Sequence, residues 1–215
     1  MLLYRKPLAS HEAITKRVTL ADIYRFFAEK GKHKWVLVLI FYYSGIIGIL
    51  TMLKPYLVDL GYNVKQIGFM SGIFGTSVAA ISALCAGMVV KWIGRKTSMY
   101  IFLLVSFAAA VLFWFISQGT PSVVSLYAAV GLLWCGYGLS TVIIYTISMD
   151  KVRKGCEGTD FTLQIVVTHL SSLIFAVVSG KLTDKIGYTN LFGIEALLSL
   201  FTLIVITYAF RQYKE

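Results

Sequence analysis

Trp35-Val-Leu-Val-Leu-Ile-Phe-Tyr-Tyr-Ser-Gly-Ile-Ile-Gly-Ile-Leu-Thr-Met-Leu53 runs for nineteen residues without one charge. A hydrocarbon core takes about 20 residues of helix to cross, so this stretch has the length and polarity of a membrane span. The same pattern recurs, and six spans are predicted over 35–53, 67–90, 97–117, 123–148, 161–180 and 191–210. Pro55, Gly61, Gly94, Pro121, Gly158 and Gly187 punctuate the joins. The expectation is an all-α integral membrane bundle over 35–210, with a basic segment at 1–34 and a short tail at 211–215. No run alternates polar and apolar residues over strand length, which argues against a β-barrel.

Composition agrees. The chain is 58% hydrophobic and only 14% charged, with mean hydropathy +0.77, whereas soluble domains carry about 25% charged residues. The net charge of +10 does not point to nucleic acid, because the basic residues sit between apolar runs rather than on one soluble face. They act instead as topology signals. With an inner N-terminus, sixteen Lys and Arg fall inside, and only Lys54, Lys65, Lys181 and Lys185 fall outside. Both ends are therefore expected on the cytoplasmic side.

Residues 1–34 lack the apolar core of a signal peptide. Thr19-Leu-Ala-Asp22 has capping-box form, and Leu20, Ile23, Tyr24 and Phe27 share a helical face, which suits either a surface helix or a linker. Cys85 and Cys135 lie in apolar runs, and Cys156 has no Cys or His partner in sequence, so no disulfide or metal framework is expected. Nothing has the form of a nucleotide loop, a metal site or a catalytic triad. No cofactor and no enzymatic activity are expected, and any energy would come from an ion gradient.

Two loops share a pattern three spans apart. Gly87-Met-Val-Val-Lys91-Trp-Ile-Gly94-Arg95-Lys96 follows the second span, and Gly180-Lys-Leu-Thr-Asp184-Lys-Ile-Gly187 follows the fifth. Gly-x3-polar-x2-Gly in both fits a three-plus-three inverted repeat. The first loop resembles the signature of the major facilitator superfamily, Gly-x3-Asp-x2-Gly-Arg-Arg/Lys. Gly87, Gly94, Arg95 and Lys96 match, and Lys91 stands where the family usually has Asp, which puts the relay role of that Asp in doubt. A narrower resemblance, to the muropeptide-permease branch, covers most of the chain. It rests on Pro55-Tyr-Leu-Val-Asp59-Leu-Gly61 through Gly68, on Gly158-Thr-Asp160-Phe-Thr-Leu-Gln164, and on Ser179-Gly180 and Gly187-Tyr188. The Gly-Thr-Asp-Phe-Thr form is more similar to the related siderophore importers.

The resemblance implies the carboxy-terminal half of a twelve-span transporter in a bacterial inner membrane, with residues 1–34 as its former central loop. It implies a cavity lined by the first and fourth spans. On the first, Tyr43, Ser44, Gly48 and Thr51 cluster, and on the fourth Tyr137, Thr141, Tyr145 and Ser148 form a stripe. These are candidate solute contacts, with ordinary helix packing as the alternative. The fifth span, at the interface between halves in the family, carries Asp160, Gln164, Thr168, Ser171 and Ser172 on one face, with His169 on its flank. That polar face would be costly in lipid, so a second half or a homodimer is expected. Asp160, Gln164 and His169 are candidates for proton coupling or a polar interface. Asp160 also suits a helix cap, and His169 a neutral hydrogen-bonded role. Glu195 is expected to snorkel at the outer end of the sixth span, and Gly68, Gly72 and Gly75 to permit close packing. The solute expected first is a ferric siderophore and second a muropeptide. A non-transporting interaction subunit is the alternative from another class.

Overall fold

The computed structural model describes residues 26–29 and 32–210; the expected capping box at 19–22 and the tail at 211–215 lie outside them. The described chain is helical throughout. The helices are α1 (Lys32–Phe41), α2 (Ser44–Asp59), α3 (Val64–Ile67), a π-helical turn over Gly68–Phe74, α4 (Gly75–Ile93), α5 (Arg95–Ile116), α6 (Val123–Asp150) and α7 (Glu157–Phe210). Five helical stretches are long and apolar enough to cross a membrane: Lys32–Asp59, Val64–Ile93, Arg95–Ile116, Val123–Asp150 and Glu157–Phe210. The chain is a multi-pass membrane protein.

The expected fifth and sixth spans are run together in α7, whose 54 residues are interrupted by the non-helical Gly187 (φ 76°, ψ 170°). A straight helix of that length would measure about 80 Å at 1.5 Å per residue. Instead, Ser179 Oγ donates to Glu195 Oε1 at 2.8 Å across sixteen residues. The two arms, 157–186 and 188–210, thus fold back on each other at Gly187. Gly94, between α4 and α5, has nearly the same backbone (φ 81°, ψ 162°). That conformation is open almost only to glycine, because a Cβ would clash with the backbone.

Two expected breakers do not break. Pro55 lies inside α2, which continues to Asp59; one missing N–H is tolerated in a spanning helix packed among neighbours. The turn comes instead at Gly61 (φ 85°). Gly158 likewise lies within α7, and the preceding turn uses Gly155 (φ 82°).

The helices α1 and α2 pack on α7, α4 on α6, and α5 on both α6 and α7. The core runs through Leu39, Ile46, Ile49, Leu53, Met99, Phe102, Phe113, Leu133, Ile143 and Phe192. The outward surface is equally apolar, with Ile81, Leu84, Leu173, Ile174, Leu197 and Ile204 exposed. The second span is peripheral: 22% of its apolar stretch is buried, against 44% to 56% elsewhere.

Candidate functional site

The first span is irregular at its middle. The helix is irregular at Tyr42 and Tyr43, between α1 and α2: Tyr42 N still donates to the Val38 carbonyl and Ile47 N to the Tyr43 carbonyl, while the Phe41 carbonyl takes side-chain donors. Ser44 Oγ donates to that carbonyl at 2.7 Å, and Thr202 Oγ1 lies 2.9 Å from it as a second donor. Backbone polar groups inside a membrane must find partners. Interrupted helices of this kind build sites near the bilayer midplane in transporters.

The break aims Tyr43 at α6. Its hydroxyl lies 3.5 Å from Thr141 Oγ1, whose own proton goes to the Tyr137 carbonyl at 2.9 Å. The Tyr43 and Tyr137 rings are 6.0 Å apart, and Trp134 meets Tyr137 edge-on at 5.9 Å. Tyr42 packs edge-on against Tyr43 at 5.7 Å and donates to the Met99 carbonyl at 3.2 Å, tying the cluster to α5. Tyr43 is 6% exposed, while Tyr137, Thr141 and Tyr145 are half-buried. The group offers ring faces with hydroxyls at their edges, which suits a bulky ligand with both apolar and polar parts.

The structure therefore brings Tyr43, Tyr137 and Thr141 together. Tyr145 is one turn further along α6, edge-on to Phe161 at 5.9 Å. Ser44 turns away from this cluster and is fully buried against the second arm of α7, with Thr202 at 3.4 Å. Thr51 is exposed and donates to Ile47 of its own helix at 2.8 Å.

The polar face of the fifth span points inward, against expectation. Asp160 and Gln164 are 0% exposed, and Thr168, Ser171 and Ser179 are buried, while the outward face carries Val166, Leu170, Leu173 and Ile174. Gln164 is fully employed: Trp35 Nε1 donates to its Oε1 at 2.6 Å, and its Nε2 donates to the carbonyls of Ser148 and Asp160 at 3.0 Å each. The buried polar groups on this span thus do not demand a partner, since α1 and α2 already cover them. His169 sits on the exposed side, off the buried stripe.

Asp160 caps the preceding loop. Arg153 donates to it from its backbone N and Nε, both 2.8 Å from Oδ2, and from Nη2, 2.7 Å from Oδ1. This forked pairing holds the Arg153 guanidinium above its usual range, chiefly through the Asp160 hydrogen bonds.

In the glycine loop, Gly94 takes the required backbone and Arg95 pairs with Asp150 at the end of α6, Nη2 donating to Oδ1 at 3.0 Å. Lys96 lines the same shallow pocket as Arg95 and Asp150. Gly87 has open space beside it. Asp150 was not singled out from sequence; its signal is an acid ending the fourth span on the side where Arg95 lies.

Glu195 is the largest departure. It does not snorkel: it is 1% exposed, bonded to Ser179, and its Oε1 lies where a Cβ on Gly48 would stand. Of the small-residue positions, Gly75 closes on Trp134, whereas a Cβ added at Gly68 or Gly72 would meet nothing within 4 Å. An apolar groove of about 610 Å³ lies apart from the tyrosines, between α5 and the second arm of α7, lined by Phe107, Val111, Trp114, Leu197 and Leu200. Among the described residues no cluster suited to a metal occurs.

A family model described as Major Facilitator Superfamily matches residues 2–176. The chain is similar to "Putative transporter AmpG 1" of Rickettsia prowazekii, with 22% identity over 157 residues, covering 73% of this chain and 35% of that protein. The protein of the same name in Rickettsia conorii is 22% identical over the same share of this chain and 37% of its own length. "Putative transporter AmpG 4" of Rickettsia conorii is 19% identical over 183 residues, 85% of this chain and 44% of that protein. The chain thus spans between about a third and somewhat under half of these relatives.

Proposed function

The chain belongs to the major facilitator superfamily, and on that premise we propose that it is one half of a secondary transporter moving a bulky, partly polar solute by alternating access. The observation that carries this reading is the meeting of Tyr43, at the break in the first span, with Tyr137 and Thr141 on the fourth. Side chains from these two helices form the solute surface, with Tyr145 extending it.

Six crossings follow if the two arms of α7 each span the bilayer. The fold-back at Gly187 supports this, since about 30 Å of hydrocarbon cannot hold one straight 54-residue helix without gross overhang. An even number of crossings leaves both ends on one side, and the Lys and Arg distribution makes that side the cytoplasm of a bacterial inner membrane. The shared backbone of Gly94 and Gly187 supports the three-plus-three inverted repeat.

The second half docks on the apolar outward faces of the second span (Ile81, Leu84, Met88) and the first arm of α7 (Leu170, Leu173, Ile174). The relatives' greater length supports such a half. As solute we place a muropeptide ahead of a ferric siderophore. The feature most similar to siderophore importers, Asp160 of the Gly-Thr-Asp-Phe-Thr form, is consumed by Arg153 and has nothing left for a solute. The AmpG names of the relatives and the muropeptide-permease resemblance favour the former.

Equilibrium binding of labelled muropeptide and labelled ferric siderophore to the chain paired with an amino-terminal half, in lipid nanodiscs, tests this. Saturable muropeptide binding that weakens in Tyr137→Ala supports the assignment. Siderophore binding alone would reverse the order, and binding indifferent to Tyr137 would remove the aromatic cluster from the site.

A further inference from the structure

Glu195 stands eight residues beyond Gly187, and Ser179 eight before it. Each is about 12 Å along its arm from the turn, and both are buried within the bundle. They meet at 2.8 Å, Ser179 Oγ donating to Oε1. The carboxyl rests on the bare backbone of Gly48, where any Cβ would overlap both Glu195 Oε1 and Ser179 Oγ. Oε2 is buried and has no hydrogen-bond partner among the described residues. The ion pairs found there are Lys32–Glu29, Arg95–Asp150 and Arg153–Asp160, none of which involves Glu195.

On α2 the titratable groups are Lys54, Tyr56 and Asp59, the first of them a turn and a half beyond Gly48 and the last bonded to Tyr188 of the second arm. On the first arm they are Glu157, Asp160 and His169 toward its start and Lys181, Asp184 and Lys185 toward the turn, and on α5 they are Arg95, Lys96 and Tyr100 in its first two turns. None reaches the carboxyl. A carboxylate anion here would have one neutral hydroxyl to offset the loss of water, and charge without partners inside a bilayer is severely disfavoured. A metal cation needs several more oxygen ligands than one carboxylate and one hydroxyl. A proton needs one.

We propose that Glu195, with Ser179 and Gly48, forms a proton-binding site inside the membrane-spanning bundle, neutral in this packing and releasing its proton to water when the three helices part. The Oε2–H bond breaks, its electron pair stays on Oε2, and the proton passes to water. What parts the helices rests on the alternating-access reading above, but occupancy of the site does not.

Infrared difference spectroscopy on the full chain in lipid reads the site without any solute. The wild type near neutral pH is expected to show the C=O stretch of a buried carboxylic acid, shifting in heavy water as its proton exchanges. Glu195→Gln should lose that band. Ser179→Ala, which keeps the acid and removes its donor, should move the band to higher frequency. A band missing in the wild type, kept in Glu195→Gln, or unmoved by heavy water would overturn the proposal. Failed solute binding with these spectra intact would instead indict the transport reading.

Discussion

Arg153 and Asp160 close the loop between the fourth span and α7 with a two-pronged ion pair, 2.8 Å and 2.7 Å, around a carboxylate that is 0% exposed. The pair sits where Trp35 and Gln164 join the first span to the same helix. The two sites together fix this end of the bundle.

Removing Arg153 therefore leaves a buried carboxylate alone, whereas Asp160→Asn leaves a cation that is partly in water. Arg153→Ala should lower stability by about 3 kcal/mol and Asp160→Asn by less, about 1–2 kcal/mol. Thermal unfolding in one detergent compares them; the opposite ranking would contradict the burial of Asp160.

Trp35→Phe deletes the one donor to Gln164 Oε1 and keeps an aromatic ring, though a smaller one. A loss of about 1–2 kcal/mol is expected, and it should shrink in a Gln164→Leu background, where that bond is already gone, giving a coupling in a double-mutant cycle. Additive losses would mean that the two side chains do not meet.

Gly94→Ala and Gly187→Ala each force a Cβ into a glycine-only conformation, with open space around both. Each should cost about 1–3 kcal/mol through backbone strain alone. Thermal unfolding that is unchanged at Gly187 would argue against the fold-back.

Arg95 and Asp150 are both substantially exposed, so breaking their pair should cost at most about 1 kcal/mol of stability. If the loop controls the conformational change, Arg95→Asp should slow transport at least tenfold. The exchanged pair, Arg95→Asp with Asp150→Arg, should recover most of it in an uptake assay.

Gly48→Ala should displace the Glu195 carboxyl and destabilise the bundle by about 1–3 kcal/mol. Glu195→Ala in the same chain should relieve the overlap with the carboxyl and free Ser179 to turn away, giving a favourable coupling in a double-mutant cycle. Independent effects would place the two residues apart.

The apolar runs from 35 to 148 were legible as spans because their length is set by the bilayer, and the helices depart from them by only a few residues at the ends. Gly94 and Gly187 were legible as joins because only glycine takes that backbone. Of the stripes on the first and fourth spans, Tyr43 and Tyr137 meet, yet Ser44, adjacent to Tyr43, faces the other way. Rotation of a helix about its axis is poorly encoded when lipid and core are both apolar. For that reason the face of Asp160 and Gln164 read as outward although it turns in. Glu195 was misplaced because its environment, Gly48 and Ser179, comes from two other spans, and their register depends on the fold-back at Gly187. Asp150 escaped notice because its partner lies 55 residues away.

Uptake of labelled muropeptide into proteoliposomes under an imposed proton gradient, with this chain alone and with an amino-terminal half, tests the central claim most directly. Saturable, gradient-dependent uptake in the paired vesicles, lost in Tyr137→Ala, is the predicted result. No uptake of muropeptide or ferric siderophore by correctly inserted, paired protein would contradict it.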